Sequence, residues 1–272
     1  MIETSVFADE VSADFEEAVD LSVRAGARCL ELRGGIWGRA VQNCTDEDVK
    51  RMLEVLERYG ARVAVIGSPV GKCTLGDDEE FDQHLRWFDR MCELARAFGT
   101  RIIRGFAFWT PGRQALPRPN LDELLPEISR RLSLIARRAQ EEDVLFCLES
   151  EPSTCSGTGE EIARIIEALE PRDHVMVAWD PGNATRLGEH PLRQGYPLIR
   201  ERVRHLHVKP NPRKNLETVG ETDASWRQVF QTLLADGYEG VATVEHWGSR
   251  WLMLEGVRQT AELLGELQST SQ

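Results

Sequence analysis

Short apolar runs alternate along this chain with longer stretches in which apolar positions recur every three or four residues. The first kind reads as buried β-strand and the second as amphipathic helix. Strands are predicted over 5–10 (SVFADE), 28–33 (RCLELR), 62–67 (RVAVIG), 101–106 (RIIRGF), 144–149 (VLFCLE), 175–180 (VMVAWD), 203–208 (VRHLHV) and 240–245 (GVATVE). Helical spacing is found over 14–26, 45–60, 81–99, 121–140, 159–170, 224–237 and 251–267, with the weakest pattern near 190–201. Gly26, Gly60, Gly99 and Gly237 follow the last apolar position of their stretches, where a glycine stops a helix.

Eight strand–helix pairs in a chain of 272 residues predict a single α/β domain, a (β/α)8 TIM barrel. A doubly wound open sheet fits less well, because no G-x-G-x-x-G follows the first strand. No glycine-rich linker, charge block or low-complexity segment divides the chain. The barrel is expected to span 1–267 and a polar tail 268–272.

Strand parity then selects residues. Side chains alternate between faces, so in VRHLHVK the residues Val203, His205, His207 and Lys209 share one face. In a TIM barrel, chemistry gathers at the C-terminal strand ends. The last residues of strands five to eight supply Glu149, Asp180, His207 and Glu245. Glu149 shares a face with Leu145 and Cys147, Asp180 with Met176 and Ala178, and Glu245 with Val241 and Thr243. The opposite faces (Phe146 and Leu148, Val177 and Trp179, Ala242 and Val244) are apolar and suit packing beneath helices. Three carboxylates converging on one imidazole repel unless protons or a cation neutralise them. One divalent metal ion meets that need, and three oxygen donors with one nitrogen suit manganese, magnesium, cobalt or zinc. Each residue alone has an ordinary reading: a solvated Glu at a strand end, an Asp opening a Pro-Gly turn, a core histidine. Four on consecutive strands, at matching depth and parity, favour the metal. His207, nearer the strand end, is then the ligand. His205 is expected to be a satisfied interior residue, and Lys209 to reach over the mouth toward substrate oxygens or into solvent.

Charge and cysteine content narrow the partners. Lys and Arg number 33 against 45 Asp and Glu, a net charge of −12, which opposes binding to nucleic acid or an anionic membrane. The six cysteines lack CxxC spacing and read as reduced thiols. The N-terminus lacks a signal-peptide pattern and no run approaches the ~18 apolar residues of a membrane span, so a cytoplasmic protein is expected.

Other candidates surround the mouth. Glu31 ends the second strand with inward parity. Lys72, in GSPVGK, is placed to meet a hydroxyl or phosphate, although the motif lacks Walker spacing. Arg104, near the fourth strand end, suits a substrate oxygen or an acid. Trp37, Phe108, Trp109 and Trp247 fall in β–α loops, where aromatics can stack on a sugar ring or simply pack.

From FADE in the first strand to VEHW in the eighth, the chain resembles the xylose-isomerase-like TIM-barrel superfamily of sugar isomerases and epimerases, which also includes apurinic endonucleases and inosose dehydratases. In ketose 3-epimerases of that group, Glu, Asp, His and Glu from strands five to eight hold one divalent metal, and those positions fall on Glu149, Asp180, His207 and Glu245. An Arg six residues after the metal His contacts substrate there, and Arg213 occupies the matching place. Asn183 and Glu151 stand where related proteins often have His. The resemblance implies a metal-dependent isomerase or epimerase working on a keto-sugar through an enediolate, with Glu149 and Glu245 exchanging protons. A lyase eliminating from a keto-sugar, keto-glycoside or inosose uses the same site. An apurinic endonuclease needs more histidines at strand ends, and a non-catalytic binding protein would be expected to have lost a ligand. A small-molecule carbohydrate is thus the implied partner, and relatives commonly form homo-oligomers.

Overall fold

Two populations of side chains on opposite faces of each strand fold into a tube within a tube. The computed structural model describes residues 1–269. The strands are β1 (Ile2–Phe7), β2 (Cys29–Leu32), β3 (Arg62–Gly67), β4 (Ile102–Gly105), β5 (Leu145–Glu149), β6 (Val175–Trp179), β7 (Val203–Val208) and β8 (Gly240–Val244). All pair in parallel, each with its sequence neighbour, and β8 closes the ring against β1. The helices, in order, are α1 (Ala8–Val11), α2 (Phe15–Ala25), α3 (Asp46–Tyr59), α4 (Asp78–Phe98) and α5 (Leu121–Glu141). They continue as α6 (Gly159–Glu167), α7 (Pro181–Thr185), α8 (Tyr196–Ile199), α9 (Trp226–Ala235) and α10 (Arg250–Ser269). This is a TIM barrel, a single domain covering the chain.

Outward-facing Val6, Leu30, Ile66, Ile103, Phe146, Val177, Leu206 and Val244 are buried against helix faces carrying Phe15, Met52, Phe88, Ile135, Ile162 and Phe230. Inside, at the N-terminal end, Cys29, Ala64, Val65 and Val241 form a separate apolar floor, with Ile102 against it. All six cysteines are buried and free. Burial pushes the Cys29, Cys73, Cys92 and Cys155 thiols up to about 12, so they pack as small apolar groups. Among the described residues, no helix is long and apolar enough to cross a membrane.

Three of the differences from the sequence pattern have a visible cause. The first strand runs over Ile2–Phe7, not 5–10, because Ala8–Val11 turns into α1 and brings Asp9 and Glu10 back over the mouth to pair with Arg33. The weak pattern near 190–201 is a π-helical turn over Pro191–Gly195 followed by the one-turn α8, broken up by Pro191, Gly195 and Pro197. Gln268 and Ser269, assigned to the tail, belong to α10, and the Gln268 side chain bonds both the N–H and the carbonyl of Ile2. The remainder of that tail, 270–272, lies outside the described residues.

Candidate metal centre at the barrel mouth

β5 to β8 deliver four side chains to one point. His207 Nδ1 lies 3.5 Å from Glu149 Oε1, 3.7 Å from Asp180 Oδ2 and 3.6 Å from Glu245 Oε2. His207 and Asp180 are fully buried, and Glu149 and Glu245 are each 4% exposed. Nδ1, Asp180 Oδ2 and Glu245 Oε2 are buried without a hydrogen-bond partner. Two donors bound to one cation at about 2.1 Å stand roughly 3.0–3.4 Å apart. The observed spacings lie just beyond that range, so a modest contraction would seat an ion. The chemistry of the donors and their convergence fit a divalent metal.

Local structure sets each donor's direction. Asp180 is the N-cap of α7: Oδ1 accepts from Asn183 N–H at 2.8 Å, leaving Oδ2 to face the cluster. Glu149 turns Oε2 to Arg104 Nε at 3.2 Å and Oε1 inward, where Asn183 Nδ2 donates at 3.4 Å. Glu245 turns Oε1 to Arg33 Nη1 at 3.2 Å and Oε2 inward. His207 Nε2 lies 3.2 Å from Glu31 Oε2. A proton on Nε2 donated to Glu31 leaves the Nδ1 lone pair directed at the three acids, the arrangement by which a carboxylate orients a metal-binding imidazole. Gly67 makes room beneath, since a Cβ there would lie 2.9 Å from Glu31 Oε1 and 3.1 Å from Arg104 Nη2.

Charge balance is visible in the acidities. Burial would raise the Glu149 carboxyl, but His207 and Arg104 overcome it and hold it below the usual range. Glu245 behaves alike, with Lys209 and His207 opposing its burial. Glu31 is held well below the carboxylate range against its burial, by His205 and His207. Burial favours neutral His207, yet Glu31, Glu149 and Glu245 draw its pKa well above the ordinary value. Such a cluster attracts positive charge.

The remaining sequence candidates sort by position. Lys209 reaches the cluster itself, its Nζ 2.6 Å from Asp180 Oδ2 and 3.1 Å from Glu245 Oε2. Lys72 lies in the wall of a cavity of about 460 Å³ that also contains Arg33, Arg104, Glu149 and Glu245; it pairs with Glu151 at 3.2 Å and lies over Phe106. His205 Nε2 bonds Glu31 at 2.7 Å, while its Nδ1 has no partner. Arg213 is exposed, 3.8 Å from Glu217, and the structure does not bring it to the cluster. Trp109 lines a separate outer cavity with Pro111 and Arg113. Phe7 and Phe106 lie beneath Arg33 and Arg104, and the Trp109 ring is 5.2 Å from Lys72 Nζ, whereas Trp37 packs on Phe15 and Trp247 and Phe108 are fully buried. Arg33 was not singled out from the sequence. It was legible there, since it follows Glu31 at the same parity; Asn183 was noticed only as a departure.

Solved structures share this fold over nearly the whole chain. The probable 3-DHS dehydratase of Bacillus anthracis is 16% identical, with 94% of this chain and 98% of that one covered and a TM-score of 0.74. A xylose isomerase-like TIM barrel protein of Mycobacterium smegmatis in complex with magnesium is 17% identical, covering 98% and 97%, with a TM-score of 0.73. D-Psicose 3-epimerase with D-tagatose, from Clostridium cellulolyticum H10, is 14% identical, covering 98% and 99%, with a TM-score of 0.73. At such identities the likeness establishes the fold. No curated protein matches the chain significantly. The model of the xylose isomerase-like TIM barrel family matches residues 19–269, and the chain belongs to that family.

Proposed function

We propose that the protein is a divalent-metal-dependent isomerase or epimerase of a keto-sugar or related polyol. The observation that carries the reading is the convergence of three carboxylate oxygens on His207 Nδ1 at 3.5–3.7 Å, in a barrel mouth that opens on a polar cavity. Glu149, Asp180, His207 and Glu245 would hold the ion. A bound divalent cation supplies Lewis acidity toward adjacent carbonyl and hydroxyl oxygens, and manganese, magnesium, cobalt and zinc all suit the donor set. The magnesium complex of the Mycobacterium smegmatis relative supports the reading.

The protein's own groups would move the proton. Glu149 and Glu245 approach the cluster from strands five and eight, and each turns its second oxygen to an arginine. Arg104 and Arg33 fix those oxygens in place, and each oxygen retains a second lone pair for a substrate proton. The ionised glutamate of the pair removes the proton beside the carbonyl and the other, entering the step protonated, returns one, so the two exchange protonation states. Return to the same carbon epimerises, and return to the neighbouring carbon isomerises. Arg104 and Lys72, on the cavity wall, are suited to orient hydroxyl oxygens, while buried Glu31 sets the His207 tautomer from below. Arg213 and Trp109 would need to approach from outside the cavity to touch the same substrate.

The test is proton NMR in deuterated buffer with Mg²⁺ or Mn²⁺, across a panel of ketoses and 3-keto-glycosides. Deuterium at the carbon beside the carbonyl, with a new diastereomer or positional isomer, is the expected result. The dehydratase among the similar folds favours one second reading, a lyase. Loss of a substituent with a new double bond would move the protein there, and no exchange with any substrate despite bound metal would refute both.

A further inference from the structure

Lys209 follows His207 by two residues and emerges beside it, so the backbone carries an ammonium to the rim of the carboxylate cluster. Its Nζ donates to Asn183 Oδ1 at 2.7 Å. The contacts at 2.6 Å to Asp180 Oδ2 and 3.1 Å to Glu245 Oε2 differ in kind. Both oxygens lack a directed hydrogen bond, so Asn183 aims the side chain while charge holds it against the acids. Those two oxygens are also the atoms offered to a metal.

An ammonium and a divalent ion sharing two carboxylate oxygens stand roughly 4 Å or less apart, where repulsion in a buried site is severe. Resting on the metal-centre reading above, the geometry points to Lys209 as an internal competitor of the metal. Its ammonium neutralises Asp180 and Glu245 while no cation is bound, and withdraws from at least one of them when the cation takes both. The withdrawal has a destination: Lys209 and Asn183 also line a cavity of about 530 Å³, with Arg186 and Lys214 farther along its wall. Pivoting on Asn183, the ammonium turns from the acids toward that cavity. Metal loading thereby presents a free Lys209 to whatever enters it. The lysine is a positioning residue for the metal and sets how tightly the protein holds it.

Calorimetric titration with Mn²⁺ alone, together with thermal unfolding in EDTA and in Mn²⁺, tests this without any turnover. Lys209→Met is expected to bind Mn²⁺ about tenfold more tightly than the unaltered protein, because the competitor is gone. It should also melt lower in EDTA, with a wider gap between its EDTA and Mn²⁺ melting temperatures. Equal or weaker Mn²⁺ binding by Lys209→Met overturns the inference and leaves the metal centre intact. Absence of Mn²⁺ binding by either chain removes the metal centre and the inference together. Asn183→Ala keeps the lysine but not its aim, and a smaller tightening in the same direction is expected. If Lys209→Met does not fold, unchanged or weaker binding by Asn183→Ala overturns the inference instead.

Discussion

The floor and the mouth of the barrel interior are equally dry and chemically opposite. At the floor, Ala64, Val65 and Val241 bury apolar surface beside Cys29, whose thiol donates to Glu3 Oε2 at 3.5 Å. At the mouth, Glu31, Arg104, Glu149, Asp180, His205, His207 and Glu245 are each at most 4% exposed. Packing the floor stabilises the fold by about 0.8 kcal/mol per buried methylene. Burying the mouth residues costs desolvation that their mutual attraction only partly offsets. The difference teaches where the protein accepts an energetic cost, and a layer of buried charge over an apolar plug is the part of the barrel maintained for chemistry.

The largest effect should come from breaking the mouth at the two glutamates proposed to move the proton. Glu149→Gln and Glu245→Gln should each reduce solvent-deuterium exchange into substrate by about 10²–10⁴-fold while the circular dichroism spectrum is unchanged; an active Glu149→Gln protein would sink the two-glutamate scheme. Next, Glu31→Gln sharpens the comparison by altering the mouth without touching the cluster's own donors. Loss of the carboxylate that orients His207 should weaken Mn²⁺ binding by about 10–100-fold, read by titration. Breaking the floor instead, Val65→Ala should lower unfolding stability by about 2 kcal/mol through lost burial and a residual cavity, with Mn²⁺ affinity unaltered.

The smallest effect concerns a buried acid with no cation beside it. Glu189 caps α6, its Oε2 accepting from Gly159 N–H at 2.8 Å, and burial pushes its carboxyl up to about 7 from an ordinary 4.5. The unfolded chain releases that proton near 4.5 and the folded chain near 7, so stability falls as pH rises through that interval and stays lower above it. Glu189→Gln keeps an acceptor and removes the ionisation. Urea unfolding should show a gain on the order of 1 kcal/mol at pH 8 and little gain at pH 4.5. Glu149, equally buried, shifts the other way because His207 and Arg104 face it.

The barrel and its inward residues were legible because strand parity is a local property. Glu149, Asp180, His207 and Glu245 could be placed on one face from a few neighbours each, with no knowledge of the tertiary structure. What the local pattern does not carry is contact between distant segments. Arg33 gains its meaning from Asp9, Glu10 and Glu245, and the first strand ends early because those acids fold back to meet it. Trp247 does lie in the loop after β8 and takes the packing alternative: its indole donates to the Val208 carbonyl and is fully buried. Arg213 was placed by resemblance alone, and its side chain is exposed beside Glu217.

Because β8 pairs with β1, the ring has a clasp, and the site straddles it. Arg33 reaches Glu245 across 212 positions of sequence, and Glu31 reaches His207 across 176. A ribosome must therefore release nearly the whole polypeptide before any of these partners meet. A first half-barrel would still pair Arg33 with Asp9 and Glu10, but it would leave Arg33 without Glu245 and Glu31 without its histidines. The four converging donors of the mouth are complete only when the last strand has locked onto the first.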